Sequence, residues 1–220
     1  MRHFLYYSLG LIPNIFFSLR FFIQWIKSER AKKSHVDSTF WKLSLAGNLL
    51  LACHYYIQFQ LPFLLIQTGN AFIAWRNLNF LQRKKEPYSL RFTWIALITS
   101  QVLVFLAFWL QKQVAAEEVK WLNVPIGLKH SVEVSLYWHL FGLLGGVLFG
   151  SRFWIQWWVA EKKGESYLGR PFWITSLIGS VIASTYFFYI KDWVSSFSYL
   201  FALIPYMRNL ILLRKSLSST

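Results

Sequence analysis

Apolar positions along this chain gather into seven runs, at about 4–26, 39–58, 61–82, 91–111, 135–158, 171–190 and 193–213. Each is close to the roughly 20 residues that a helix needs to cross a bilayer core. The pattern predicts an all-α membrane protein with seven transmembrane helices. Proline marks the breaks. Pro62 and Pro171 stand where helices open and a missing N–H costs nothing, and Pro87 sits in a charged turn. Pro13 and Pro205 fall inside runs, where the lost hydrogen bond predicts a kink. The first run is too long for a signal-peptide core, contains Arg20 and lacks a small-residue cleavage site, so it reads as a span rather than a leader.

The polar positions inside the runs carry a second pattern. Sliding the chain on itself by 132 residues aligns Arg20-Phe21-x-Ile23-Gln24-Trp25 with Arg152-Phe153-x-Ile155-Gln156-Trp157. It also aligns Glu29 with Glu161, Ser34 with Ser166, and Phe40-Trp41 with Phe172-Trp173. Ser44-Leu45-x-Gly47 meets Ser176-Leu177-x-Gly179, and Arg76-Asn77-Leu78 meets Arg208-Asn209-Leu210. Between Arg20 and Gly47, 12 of 28 positions are identical, and matches at Arg, Gln, Glu and Ser separate a true repeat from chance agreement among apolar residues. Each repeat holds three runs. An odd number of spans ends opposite its start, so two parallel repeats need one extra helix between them, and the fourth run supplies it. The expectation is a 3+1+3 arrangement with parallel pseudo-repeats about an axis along the membrane normal. Its parts are 1–88 for the first three-helix repeat, 89–134 for the linker helix and an outer loop, and 135–220 for the second repeat.

Charge then orients the bundle. Lys27, Arg30, Lys32 and Lys33 follow the first run, Arg83, Lys84 and Lys85 the third, Lys162, Lys163 and Arg170 the fifth, and Arg214 and Lys215 the last. All lie on one side of a seven-span chain. The opposite connections are very short, except 112–134, where Lys112, Lys120 and Lys129 mix with Glu117, Glu118 and Glu133. The positive-inside rule predicts a periplasmic N-terminus and a cytoplasmic C-terminus in a bacterial inner membrane. The net charge of +14 thus reflects topology rather than nucleic acid binding. A charged fraction of 15%, against about a quarter in soluble domains, excludes an ordinary soluble fold.

The candidate chemistry is a level of arginines and amides. Arg20 and Gln24 share one helix face, and Arg152 and Gln156 repeat the arrangement. Arg76 and Asn77 lie about 15 residues into the third run, roughly 22 Å at the helical rise, which brings them to a similar depth. The repeat places Arg208 and Asn209 there too. Four guanidinium groups near one plane suit bidentate binding of phosphate or carboxylate head groups. The same arginines also suit snorkelling to the interface, or ion pairs with Glu29 and Glu161. Asn14, Asn48, His54, Gln67 and Asn70 are the deeper polar residues of the first repeat and are expected to face the interior, bonded between helices or lining a path. Trp25, Trp41, Trp157 and Trp173 fit an interfacial aromatic belt, and Gly47 and Gly179 a close helix approach. Enzyme signatures are missing. There is no glycine-rich phosphate loop and no Cys/His cluster with zinc spacing, so no metal or cofactor is expected. His35-x-Asp37 is a weak signal, Ser34 and Ser166 have no evident base, and the single cysteine, Cys53, forms no internal disulfide.

The combination RFxxQW, a basic Ser/Glu loop, FWxxSLxG and a closing RNL resembles the lipid A biosynthesis N-terminal domain family over both repeats. In topology that family is similar to the SWEET, PQ-loop and KDEL-receptor group. Thr39 departs from the pattern where the second repeat has Pro171, and Tyr199 stands where the first has Gln67. The resemblance implies a role in lipid A or envelope glycolipid biosynthesis, as a domain found beside glycosyltransferases or fused to lipid-A-disaccharide synthase. It implies a module that binds an anionic lipid or lipid-linked sugar for a partner enzyme, with a SWEET-like transporter or lipid flippase as the alternative. The nucleotide-sugar-binding α/β fold of a synthase has no counterpart in these 220 residues.

Overall fold

A computed structural model describes residues 2–32, 36–57, 59, 61–82, 87–114, 135–166, 168–189 and 193–217. Ser34, His35, the basic run at 83–85 and most of the 112–134 connection lie outside the described residues. Among the described residues every regular element is a helix. The seven are α1 (Arg2–Ala31), α2 (Ser38–Ile57), α3 (Leu61–Gln82), α4 (Leu90–Val114), α5 (Leu136–Lys163), α6 (Arg170–Tyr189) and α7 (Trp193–Leu217). The duplication is visible in their bounds. α6 begins and ends 132 residues after α2, α7 begins 132 after α3, and α1 and α5 end 132 apart.

The C-terminal ends of α2, α3 and α6 fall within one residue of their apolar runs, but α1 and α5 continue five residues past theirs, into charged sequence. The cause is local. Trp25 Nε1 donates to Glu29 Oε1 (3.0 Å) and Trp157 Nε1 to Glu161 Oε1 (2.7 Å), each pair one turn apart on the added segment. Both helices then stop on a left-handed residue at matching positions, Lys32 (φ 51°) and Gly164 (φ 68°). The starts of α2 and α6 differ. Pro171 is the second residue of α6. α2 has Thr39 there and is capped instead by Asp37, whose Oδ1 accepts from Phe40 N at 3.3 Å.

The described residues form two compact units, and the division falls inside α1. The first unit holds α1 up to Phe21 with α2, α3 and α4; the second holds α1 from Phe22 with α5, α6 and α7. In the first, α2 packs on α3 and α3 on α4. Ala52, Leu61, Leu64 and Phe108 form a buried cluster, and the Thr68 hydroxyl bonds to the Gln101 amide (3.3 Å). α1 meets α2 through side chains. Phe21 sets its ring edge-on to Phe40, 5.7 Å between centroids, and Phe17 lies over Gly47.

In the second unit α5 and α6 approach to backbone contact. A Cβ added at Gly145 would lie 2.8 Å from Ala183 N, and one at Gly179 would lie 2.6 Å from Phe149 N. α6 and α7 are stitched by Ser184 and Ser196, each hydroxyl donating to the other's carbonyl at 3.1 Å.

Two expectations are corrected. Trp41, Trp157 and Trp173 are buried rather than set in a belt. The Trp41 and Trp173 indoles stand edge-on to Phe40 and Phe172, because α2 and α6 turn this FW face inward. Asn14 stands on an exposed face of α1, while Asn48 and Asn70 are buried as expected and His54 and Gln67 are half-buried. Among the described residues two helices, α4 and α6, are long and apolar enough to cross a membrane. Ile98, Leu103, Leu143 and Val147 are exposed, while Arg20, Arg76, Arg152 and Asn209 are buried.

Candidate functional site

All eight candidate arginines and amides lie on helices, and seven of them are buried. In the first unit, Arg20 reaches from α1 to α2, where Nη1 donates to Ser44 Oγ at 2.8 Å. Ser44 Oγ in turn donates to the Phe40 carbonyl (2.7 Å), which fixes the hydroxyl as an acceptor for the arginine. Three rings enclose the guanidinium, with Phe17, Phe21 and Phe40 centroids at 4.5, 4.8 and 5.4 Å. Ring faces and a hydroxyl stabilise a buried guanidinium without cancelling its charge.

Arg76 on α3 is engaged elsewhere in that unit. Its Nη1 donates to Asn79 Oδ1 (3.0 Å) and to the Tyr88 carbonyl (2.8 Å), and its guanidinium lies 4.3 Å from the Phe80 ring. Asn79 Oδ1 also accepts from Tyr88 N at 3.0 Å. Together the two side chains clasp the backbone that leads into α4. Asn77 donates back along its own helix to the Ile73 carbonyl (2.9 Å).

In the second unit Arg152 is again enclosed by aromatic rings. Phe149 lies 3.4 Å from the guanidinium and Phe153 4.8 Å, and Nη1 donates to Tyr206 Oη at 3.0 Å. Gln156 is buried one turn further along α5, and Glu161 accepts from Trp157.

The end of α1 joins this unit through two polar contacts with α7. The Gln24 and Asn209 amides pair reciprocally, Nε2 to Oδ1 at 2.8 Å and Nδ2 to Oε1 at 3.1 Å. Their remaining donors go to Ser28 Oγ and the Pro205 carbonyl, both at 2.8 Å. One residue earlier on α7, Arg208 forms a fork with Glu29, with Nε on Oε1 and Nη2 on Oε2 at 2.7 Å.

The structure therefore brings Gln24 to Asn209 and Glu29 to Arg208. It places Arg20 at the α1–α2 seam, Arg76 at the approach to α4, and Arg152 between α5 and α7. Three functional partners escape sequence reading, namely Tyr206, Asn79 and Ser44 as an arginine acceptor. Tyr206 and Asn79 are matched by Ala74 and Ile211 across the repeat, so self-alignment passes over them. Ser44 was marked by the repeat, but its role was not.

Comparison with known proteins bears on this arrangement. The family model described as Lipid A Biosynthesis N-terminal domain matches twice, over residues 9–79 and 141–211, each boundary of the second match lying 132 residues after that of the first. A lipid-A-disaccharide synthase of Chlamydia felis is 37% identical over 211 residues, which is 95% of this chain and 33% of that protein. The synthases of Chlamydia trachomatis serovar D and Chlamydia pneumoniae are 34% and 33% identical, over 93% and 99% of this chain. The chain spans about a third of the length of these curated relatives. No solved structure matches.

Proposed function

The chain belongs to the lipid A biosynthesis N-terminal domain family, and on that premise we propose that it is a multi-pass inner-membrane module that binds an anionic lipid or lipid-linked sugar and presents it to a partner enzyme. The carrying observation is the double family match, joined to relatives three times its length that bear the name lipid-A-disaccharide synthase. A glycosyltransferase of that kind is the partner that acts on the bound glycolipid.

In this reading all seven helices span the bilayer in a 3+1+3 order, over 1–88, 89–134 and 135–220, with the N-terminus periplasmic and the basic ends cytoplasmic. The exposed apolar side chains support it, since lipid accepts the apolar faces of α4 and α5 while buried polar groups bond within the protein. The candidate head-group contacts in the cytoplasmic leaflet are Arg20, Arg76 and Asn77 in the first unit, and Gln24, Arg152, Gln156, Arg208 and Asn209 in the second, each unit taken by itself. Support comes from the repeat-matched pair Arg20 and Arg152, whose guanidinium groups are each held among aromatic ring faces beside a hydroxyl.

Native mass spectrometry of the protein purified in its own lipids tests this. A phosphorylated glycolipid retained by the wild type and lost in the Arg20→Ala/Arg152→Ala double variant, with helical circular dichroism unchanged, is the expected result. A wild-type protein that retains no anionic lipid sinks the reading.

A further inference from the structure

The four arginines are unequal in exposure. Arg20, Arg76 and Arg152 are 2–3% exposed, whereas the side chains of Arg208 and Glu29 are 38% and 34% exposed. Arg76 is the repeat counterpart of Arg208, yet it is sequestered by Asn79 and the Tyr88 carbonyl. Arg208 presents its Nε–Nη2 edge to a carboxylate.

We propose that Arg208 is the exchangeable anion site of the module, and that Glu29 is a resident stand-in whose carboxylate occupies the fork that a lipid phosphate takes on binding. The inference rests on the lipid-binding reading above and assigns it a specific entry point. A carboxylate and a phosphate offer the same pair of acceptor oxygens to the same guanidinium edge, so one replaces the other without moving the arginine. Half-exposed charges exchange partners at small desolvation cost.

Glu29 has somewhere to go. Trp25 Nε1 already donates to it at 3.0 Å from the preceding turn of α1, so the displaced carboxylate keeps a donor. The seam itself has a separate fastening. Gln24 and Asn209, five residues before Glu29 and one residue after Arg208, pair reciprocally in a buried position. The fork therefore opens by side-chain rotation while the α1–α7 contact stays closed. The two repeats divide the work, with Arg76 securing the chain into α4 and Arg208 available to ligand.

The test is a titration of the full chain in detergent micelles with phosphatidic acid, read by native mass spectrometry, beside a parallel titration with inorganic phosphate. Glu29→Gln keeps an acceptor oxygen for Trp25 and removes the competing charge, so it is expected to bind phosphatidic acid roughly tenfold more tightly than wild type. Arg208→Gln is expected to lose that binding and Arg208→Lys to restore part of it, and both substitutions are at a half-exposed side chain that the fold tolerates. If Glu29→Gln binds no more tightly than wild type while wild type still retains lipid, the stand-in role is wrong and the module reading survives. If neither protein binds phosphatidic acid, both fall. A gain that appears equally with inorganic phosphate overturns the lipid as ligand, and a gain confined to phosphatidic acid assigns the site to a lipid head group.

Discussion

Phe17 and Phe149 occupy the same place in the two repeats, and each meets the glycine of the FWxxSLxG segment. They meet it with different parts. Phe17 lays its ring across Gly47, with Cε1 2.6 Å from where a Cβ would stand; Phe149 brings its backbone, with N at 2.6 Å and Cα at 2.9 Å from the equivalent point on Gly179. The difference lies one turn away. α5 carries Gly145, which fits against Ala183, and at the matching position α1 carries Pro13. A pyrrolidine ring cannot enter where a bare Cα fits, so α1 stands off and fills the gap with an aromatic ring. Repetition of a motif therefore preserved the contact but not the distance, and the second unit has the tighter helix seam.

The arginines teach the same lesson. Arg20 and Arg152 both sit among rings, but a serine hydroxyl on α2 accepts from the first and a tyrosine hydroxyl on α7 from the second. Arg76 bonds to an asparagine and a carbonyl at the approach to α4, and Arg208 bonds to a carboxylate at the end of α1.

The sharpest way to break this comparison is to add one methyl group in each unit. Gly179→Ala forces backbone apart and is expected to cost about 3 kcal/mol. Gly47→Ala meets the far end of a ring that rotates away and also gains helix propensity, so its cost is expected to stay below about 1 kcal/mol. Unfolding in mixed micelles checks both, and equal losses would show that the two seams are alike. Next in size is Asn79→Ala, which strands the Tyr88 N–H and one arginine donor and is expected to cost about 2 kcal/mol. Its repeat counterpart Ile211 is exposed, and Ile211→Ala is expected to change stability by less than about 0.5 kcal/mol by the same assay.

The smallest effect concerns the ends of α1 and α5. Lys32→Gly relieves a left-handed lysine and is expected to stabilise by about 1 kcal/mol, while Gly164→Ala is expected to destabilise by a similar amount. A shift of the same sign in both would mean that the two termini do not share a conformation.

Much of the architecture was legible because it depends on near neighbours. Apolar runs, proline and charge set the number and approximate bounds of the helices. The offset of 132 located both repeats, and the family match lies at the same offset. Helical spacing put Arg20 with Gln24, and Arg152 with Gln156, on shared helix faces, and packing is what buries those faces. The five-residue extensions of α1 and α5 were missed because hydropathy falls where Trp–Glu pairs still support the helix. The burial of Trp41 and Trp173 was missed because an indole near a helix end suits an interface as well as a core.

What the sequence determined by itself, then, is a duplicated all-helical chain with arginines and amides repeated on matching faces, since helical hydrogen bonding and hydropathy are properties of a residue and its close neighbours. Which groups those arginines hold was decided by packing. Glu29 and Arg208 are 179 residues apart. Only the placement of α1 against α7 chose that pair, because a charge is satisfied by whatever lies within a few ångströms of it and not by its position in a motif.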